Sequence, residues 1–533
     1  MFTQKLTLAS VVAITLFSGT LAQGVLAKDR DDRPGPCPEN VDRALTLPRC
    51  LRALVRSPEF ERFSQEIPAV RDGRIDPALF HDRIILSRIS PTEVRSEGQP
   101  EADLARDFFE SDGRTVRRID SAELRQLSEL PPREVPSRSV DRDFGLAETT
   151  NLPAQPPPKP FLVPNSGFQL PPPNPNDLDV ASFLDDLHAV LANSAHGYAM
   201  EMRQNGSTIA VHQWHWARNP VPGDFPASGW TPDRRMHIAS MSKFMTAIGL
   251  MHLLENTPGV DVDDPIWPWL PAYWDRTAGA NELVTFADLM EHRSGYITGG
   301  SSAEWSTMKA EVNAGPSVTP GTSFDYENMN FGLIRILMAT IGGYMDPEWS
   351  TGSEFWTDLF WNKYTAEAYA DYMRTYVFNP VSATPTLHHD TQTALAYRRD
   401  GSTPGWQVKD MTYEPGGYGW RMTIGEILDV LRAFRTGQLV SFGTAAEILV
   451  ESYGLNTPVG GAQTAAGPVY LKPGLWRDSE DANDGRAEQG VLMLLPDNIE
   501  LVVFVNSYVG PGPASLQSLM FTLYDNNIVD TTP

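Results

Sequence analysis

Cysteine is almost missing from this chain: Cys37 and Cys50 are its only two in 533 residues, and their separation does not match metal-ligand spacing. In an oxidising compartment they are candidates for one disulfide; otherwise they are two free thiols. Basic charge is also short. The 43 Lys and Arg residues face 67 Asp and Glu, for a formal net charge of -24 and a pI near 4.8, which repels phosphate backbones and excludes nucleic acid as an expected partner. Lysine itself is scarce, roughly one in five of the basic residues. A lysine inside an apolar segment therefore needs a reason, because lysine can lose its proton when desolvated and arginine in practice cannot. There is no His-Glu-x-x-His, no Gly-x-x-x-x-Gly-Lys and no Gly-x-Ser-x-Gly, which removes most support for metal or nucleotide chemistry, so no metal and no cofactor are expected. Beyond the first residues no apolar run approaches a membrane span. The best, Val491 to Val505, is broken by Pro496, Asp497, Asn498 and Glu500 and reads as a strand-turn-strand hairpin.

What is present, at 41% hydrophobic and 21% charged residues, is material for one large domain or two ordinary ones, and it excludes a disordered or fibrous chain. Lys5, the apolar run Leu6 to Phe17 and the stretch Val25-Leu26-Ala27 read as a signal peptide over 1–27 rather than an uncleaved anchor, with Thr20-Leu21-Ala22 as a second cleavage site. The expected location is periplasmic or secreted, with no membrane span after cleavage. Residues 28–150 are dense in charge of both signs, with short helical patterns such as Pro58 to Ile67 and Ser121 to Leu130. They are either a small helical domain stapled by Cys37 and Cys50 or a partly disordered extension that folds against a partner. Residues 151–177 hold Pro156-Pro157-Pro158 and Pro171-Pro172-Pro173 and read as an extended linker. Residues 178–533 carry all 13 tryptophans. This part opens with a helical pattern, Val180 to Leu191, and a hairpin turned at Asn205-Gly206. It is helical in the middle and returns to strands from Val469 to Phe504, before a last helix near Ala514 to Tyr524. Strands at both ends predict an antiparallel sheet completed by distant parts of the chain, an α/β (α+β) fold with an inserted helical subdomain.

The chemistry concentrates at Ser240-Met-Ser242-Lys243, the front of a nearly all-apolar helix running to Leu254. A three-residue spacing places Ser240 and Lys243 on one helical face, close enough for the amine to take the hydroxyl proton, while Ser242 points elsewhere. Burial disfavours the ammonium and the helix N-terminus favours an oxyanion, so both help a serine nucleophile. Ser306-Thr-Met-Lys309 repeats the spacing and shows how weak it is alone, but no long buried helix follows it. Tyr326-Glu327-Asn328 precedes the apolar run Phe331 to Met338: a loop-borne phenol to relay a proton and an amide to hold both Lys243 and a substrate carbonyl. Tyr524-Asp525-Asn526 has the same form and reads as structural. Lys472-Pro473-Gly474 follows a predicted strand, Pro468 to Leu471. Its cation would hold Tyr326 nearer its anionic form, and Gly474 would let substrate approach the strand, unless Lys472 is merely a solvated edge lysine.

In this order Ser-x-x-Lys, Tyr-x-Asn and Lys-x-Gly resemble the serine β-lactamase and penicillin-binding-protein superfamily, and in particular its class C-like serine hydrolase branch. Thr285 to Gly295, with His292 and Ser294, is similar to that branch's Leu-Leu-x-His-Thr-Ser-Gly stretch, and Pro320 to Asn328 to its Pro-Gly-x-x-Phe-x-Tyr-Ser-Asn stretch; Gly416-Gly417 resembles its later Gly-Gly loop. The resemblance covers about residues 180–525 and implies a β-lactamase-like fold. It also implies a nucleophilic Ser240, proton transfers shared by Lys243 and Tyr326, a substrate-positioning Asn328, a tuning Lys472, and an oxyanion held by the Ser240 and Leu475 N–H groups. His292 and Ser294 then belong to a scaffold turn. Pro473 departs from the usual Thr or Ser, whose hydroxyl helps bind a carboxylate, and this tilts the expected substrate toward a less anionic small ester or amide. Peptidoglycan fragments are a further candidate partner. Two other readings are a catalytically silent member of the fold that binds peptidoglycan or protein, and a scaffold whose partner-binding module is 28–150.

Overall fold

The computed structural model describes residues 176–298, 303–402, 404–478, 485–509 and 515–530. The expected signal peptide, the segment 28–150 with Cys37 and Cys50, and the linker up to residue 175 lie outside the described residues.

Strand β1 (Asn176–Leu178) leads into helix α1 (Val180–Ser194), capped by the Asp179 carboxylate, which accepts the Ser182 N–H at 3.1 Å. Asn205 and Gly206, both at positive φ, turn the hairpin of β2 (Tyr198–Gln204) and β3 (Ser207–Trp214). Short strands β4 (Trp216–Arg218), β5 (Ser228–Gly229) and β6 (Met236–His237) follow, then a 3-10 turn, Ala239–Met241, and helix α2 (Ser242–Glu255). The middle is helical: α3 (Phe286–Met290), α4 (Trp305–Ala314), α5 (Asn328–Ile341) and α6 (Glu354–Met373). The two-residue strand β7 (Arg421–Met422) precedes α7 (Ile424–Arg435) and α8 (Phe442–Glu451). Thr285 and Thr423 start α3 and α7 with reciprocal capping boxes to Asp288 and Glu426. The chain then returns to strands β8 (Ala462–Thr464), β9 (Gly467–Arg477), β10 (Ala487–Leu495) and β11 (Ile499–Val505), and ends in α9 (Leu516–Asn526) and β12 (Ile528–Asp530).

The main sheet is antiparallel, in the order β3-β2-β11-β10-β9-β8, so a hairpin from before the helical middle is completed by strands from after it. Alternation along β10 separates two cores. Val491, Met493 and Leu495 pack with Leu187 of α1 and Met520 of α9, whereas Leu492 and Leu494 face the larger cluster of α2, α5, α6 and α7. Helix α2 is buried on almost every side, as its nearly all-apolar sequence requires. Gly249 brings α6 against it: a Cβ there would lie 2.4 Å from the Met373 sulfur. No helix of the described residues is long and apolar enough to cross a membrane.

Two local expectations shift. Lys472 lies inside β9 rather than after a strand ending at Leu471, because β8 pairs only with Gly467–Val469, leaving the rest of that edge without a strand neighbour among the described residues. A proline that cannot donate is tolerated on such an edge, so the strand runs through Pro473. Asn328 is the first residue of α5 rather than part of the loop before it.

Candidate active site

The 3-10 turn that holds Ser240 is tight: Ala239 has φ +46, and the Met241 N–H donates to the Ile238 carbonyl at 3.1 Å. Strand β9 lies directly against it. A Cβ on Gly474 would sit 2.2 Å from the Ile238 carbonyl oxygen, so the glycine is what lets the strand approach this turn. Since N–H directions repeat every second residue, the Leu475 N–H points to the same edge of β9 as the Pro473 nitrogen.

Ser240 and Lys243 are buried, and the lysine Nζ lies 2.9 Å from the Ser240 Oγ. The same Nζ donates to Asn328 Oδ1 at 2.6 Å and to the Gly417 carbonyl at 3.0 Å. The Tyr326 hydroxyl donates to Ser240 Oγ at 2.8 Å from the other side. This set suits either protonation state of the amine. A charged Lys243 has an acceptor for each of its three N–H groups. A neutral one keeps two on Asn328 and Gly417 and turns its lone pair to the Ser240 proton. Tyr326 has two lysine amines near its ring, with Lys243 Nζ 4.8 Å and Lys472 Nζ 5.1 Å from its centroid. Lys472 is buried and donates to Asn456 Oδ1 at 2.6 Å, so it is not a solvated edge lysine.

Behind the phenol, His292 stacks on Tyr326 at 4.3 Å, and its Nδ1 accepts the Glu327 N–H at 3.2 Å. Ser294 donates to Asn330 Oδ1 at 2.7 Å. Both residues thus brace the start of α5. The Glu327 carboxylate accepts the N–H and hydroxyl of Thr298.

The repeated motifs go elsewhere. Lys309 of α4 reaches Glu354 at 2.5 Å and Asp358 at 3.0 Å, and Tyr524 is buried in the core between the sheet, α1 and α9. The Ser242 Oγ has no partner among the described residues. Sequence reasoning did not single out Asn456, which holds Lys472, or Thr246, whose hydroxyl donates to the Gly416 carbonyl at 2.7 Å. The signal available was Gly454 two residues before Asn456. Its φ is +68, and a Cβ on it would be 2.7 Å from the Lys243 carbonyl. No cluster of three or more metal-ligating side chains occurs among the described residues.

With this geometry in place, the family model described as beta-lactamase matches residues 189–516, and the chain belongs to that family. Similar solved structures include the octameric penicillin-binding protein homologue from Pyrococcus abyssi, with 16% identity, 65% of this chain and 77% of that one covered, and a TM-score of 0.46. The D-stereospecific amidohydrolase from Streptomyces sp. has 16% identity over 65% and 99%, with a TM-score of 0.44. A class C beta lactamase from Rhodobacter sphaeroides has 17% identity over 64% and 97%, with a TM-score of 0.43. No curated protein matches the chain.

Proposed function

We propose that the chain is an exported serine hydrolase that cleaves a small ester or amide through an acyl-enzyme on Ser240. The observation that carries this reading is one hydroxyl touched by both an amine and a phenol, Lys243 at 2.9 Å and Tyr326 at 2.8 Å. Ser240 Oγ bonds to the substrate carbonyl carbon as its proton passes to the Lys243 lone pair. The bond to the leaving oxygen or nitrogen then breaks. The leaving group takes the Tyr326 proton, and Lys243 returns one to the phenolate. Water attacks the resulting ester and gives its proton to Lys243, which hands it to the departing Ser240 oxygen. Asn328 positions Lys243 and the substrate, and Lys472 stabilises negative charge on Tyr326. The Ser240 and Leu475 N–H groups take the oxyanion, an arrangement contributing about 3 kcal/mol per donor. Pro473 supplies neither hydroxyl nor N–H, which favours a substrate without a carboxylate at that point. Export rests on the leader-like residues 1–27.

The test is mass spectrometry after incubation with a fluorophosphonate, a p-nitrophenyl ester and a penicillin. The expected result is an adduct on the peptide containing Ser240. Labelling at Ser306, or none with any probe, overturns the reading.

A further inference from the structure

Immediately before the Ser240 turn lies a polar cluster that this chemistry does not use. His237 of β6, Arg421 of β7 and Glu488 of β10 are all buried, and His237 pairs with Arg421 across the β6/β7 ladder. The His237 Nε2 accepts the Gly419 N–H at 3.2 Å, so in a neutral imidazole the proton sits on Nδ1. That Nδ1 faces Glu488 Oε2 at 3.6 Å, and neither atom has a hydrogen-bond partner among the described residues. Trp476 of β9 closes the cluster edge-on to the imidazole at 5.4 Å. Arg421 is held by backbone: it donates to the carbonyls of Leu387, Val408 and Lys409 at 2.7, 2.7 and 2.8 Å.

What His237 joins is the site itself. Gly419 ends the loop whose Gly417 carbonyl receives Lys243, and Ile238, next to His237, donates its N–H to the Trp420 carbonyl at 2.9 Å. From there the chain passes through Ala239, held in the left-handed region that a Cβ disfavours, to Ser240. A turn strained in this way depends on the contacts that flank it. A proton on Nε2 would set two donors against each other, the imidazole and the Gly419 N–H.

We propose that neutral His237, backed by Glu488, is a positioning pair that pins the Ser240 turn to the Gly416–Gly419 loop and so sets the Ser240–Lys243 geometry. The role in turnover rests on the acyl-enzyme reading. The charged groups around the pair are Arg421 on β7, Asp390 and Asp410 acting on that arginine, and His389 beside them. Burial and Arg421 hold the His237 imidazole well below the usual histidine range, in keeping with a brace that must stay neutral.

Two readouts separate the pair from the acyl-enzyme reading. The first is a long-range nitrogen-proton spectrum of the full chain labelled with 15N-histidine, with His237 assigned by its loss in His237→Gln. The Nδ1–H tautomer is expected at neutral pH, and an Nε2–H tautomer or an imidazolium overturns the proposal whether or not Ser240 reacts. The second is steady-state hydrolysis of p-nitrophenyl acetate. His237→Ala should lower kcat on the order of 10- to 100-fold with KM within about twofold, and His237→Gln, whose amide oxygen can accept the Gly419 N–H, should restore most of it. A folded alanine variant with unchanged kcat, or a glutamine variant no better than alanine, overturns the proposal. If wild-type protein neither turns over the ester nor labels at Ser240, the acyl-enzyme reading fails instead, and the tautomer alone decides whether His237 is built as described.

Discussion

Two stretches of this chain place a serine three residues ahead of a lysine, and the folded molecule treats them in opposite ways. Lys243 sits inside a helix buried all round and contacts three neutral oxygens, those of Ser240, Asn328 and Gly417, which hold the amine in either protonation state. Lys309 lies at the edge of the helical middle, between Glu354 and Asp358 and 4.8 Å from the Tyr273 ring centroid. Its N–H groups are committed to carboxylates, and Ser306 is exposed. The spacing places an amine beside a hydroxyl in reach; the neighbours decide whether that amine becomes half of an ion pair or a group that can exchange protons.

The sharpest way to break this contrast is to remove each serine. Ser240→Ala is expected to lose about 10³-fold or more of ester turnover and all fluorophosphonate labelling, while Ser306→Ala keeps both. Equal losses in the two variants would erase the distinction. Next come the lysines. Lys243→Arg puts a permanently charged, forked group where a proton must be exchanged, and should cost on the order of 10²- to 10⁴-fold in kcat. Lys309→Arg, which keeps its ion pairs, should stay within about twofold of wild type. A smaller effect tests the second lysine of the site. Asn456→Ala removes the acceptor of Lys472 and should lower kcat/KM by about tenfold, measured with the same ester. Lys309→Met should leave turnover intact and lower stability by about 1 kcal/mol in a urea melt, a figure kept small because Glu354 is 70% exposed.

A last contrast, read in the pH dependence of stability rather than in turnover, concerns a buried carboxyl with a different surrounding again. Burial pushes the Glu488 carboxyl up to about 8, against the pull of Arg421. A folded-state value above the unfolded one means that its contribution to stability is full below about pH 4.5 and drains away as pH climbs to about 8. Glu488→Gln should therefore flatten the stability profile across that window. Identical slopes for variant and wild type would show that Glu488 is ionised throughout.

Much of this was readable before folding was considered. The hairpin at Asn205-Gly206, the first helix, the terminal strands and the last helix fall where periodicity and turn residues place them. Ser240, Lys243, Tyr326, Asn328 and Lys472 do come together. The errors are instructive. The predicted strand ended at Leu471, before Lys472 and Pro473, and the uncovered edge of β9 is what makes the proline admissible inside the longer strand. Gly474 also has a duty that its spacing did not show: it makes room for the Ile238 carbonyl of the Ser240 turn. Asn456 carried only the glycine turn before it as a signal and His237 carried none, because an asparagine after a turn and a histidine in a two-residue strand gain meaning only from Lys472 and Gly419, which the fold brings to them.

By itself the sequence determined what depends on neighbours along the chain: the apolar helix behind Ser240, the one-turn spacing of Ser240 and Lys243, the capped starts of α3 and α7 and the alternation that gives the sheet two buried faces. Those follow from backbone periodicity and short-range hydrogen bonding, which need only adjacent residues. The tertiary structure alone decided which Ser-x-x-Lys pair meets a tyrosine, which lysine meets carboxylates, and which glycine loop supplies a carbonyl to the amine. A group's desolvation and the charge beside it are set by segments brought from elsewhere in the chain, and the local sequence carries no record of them.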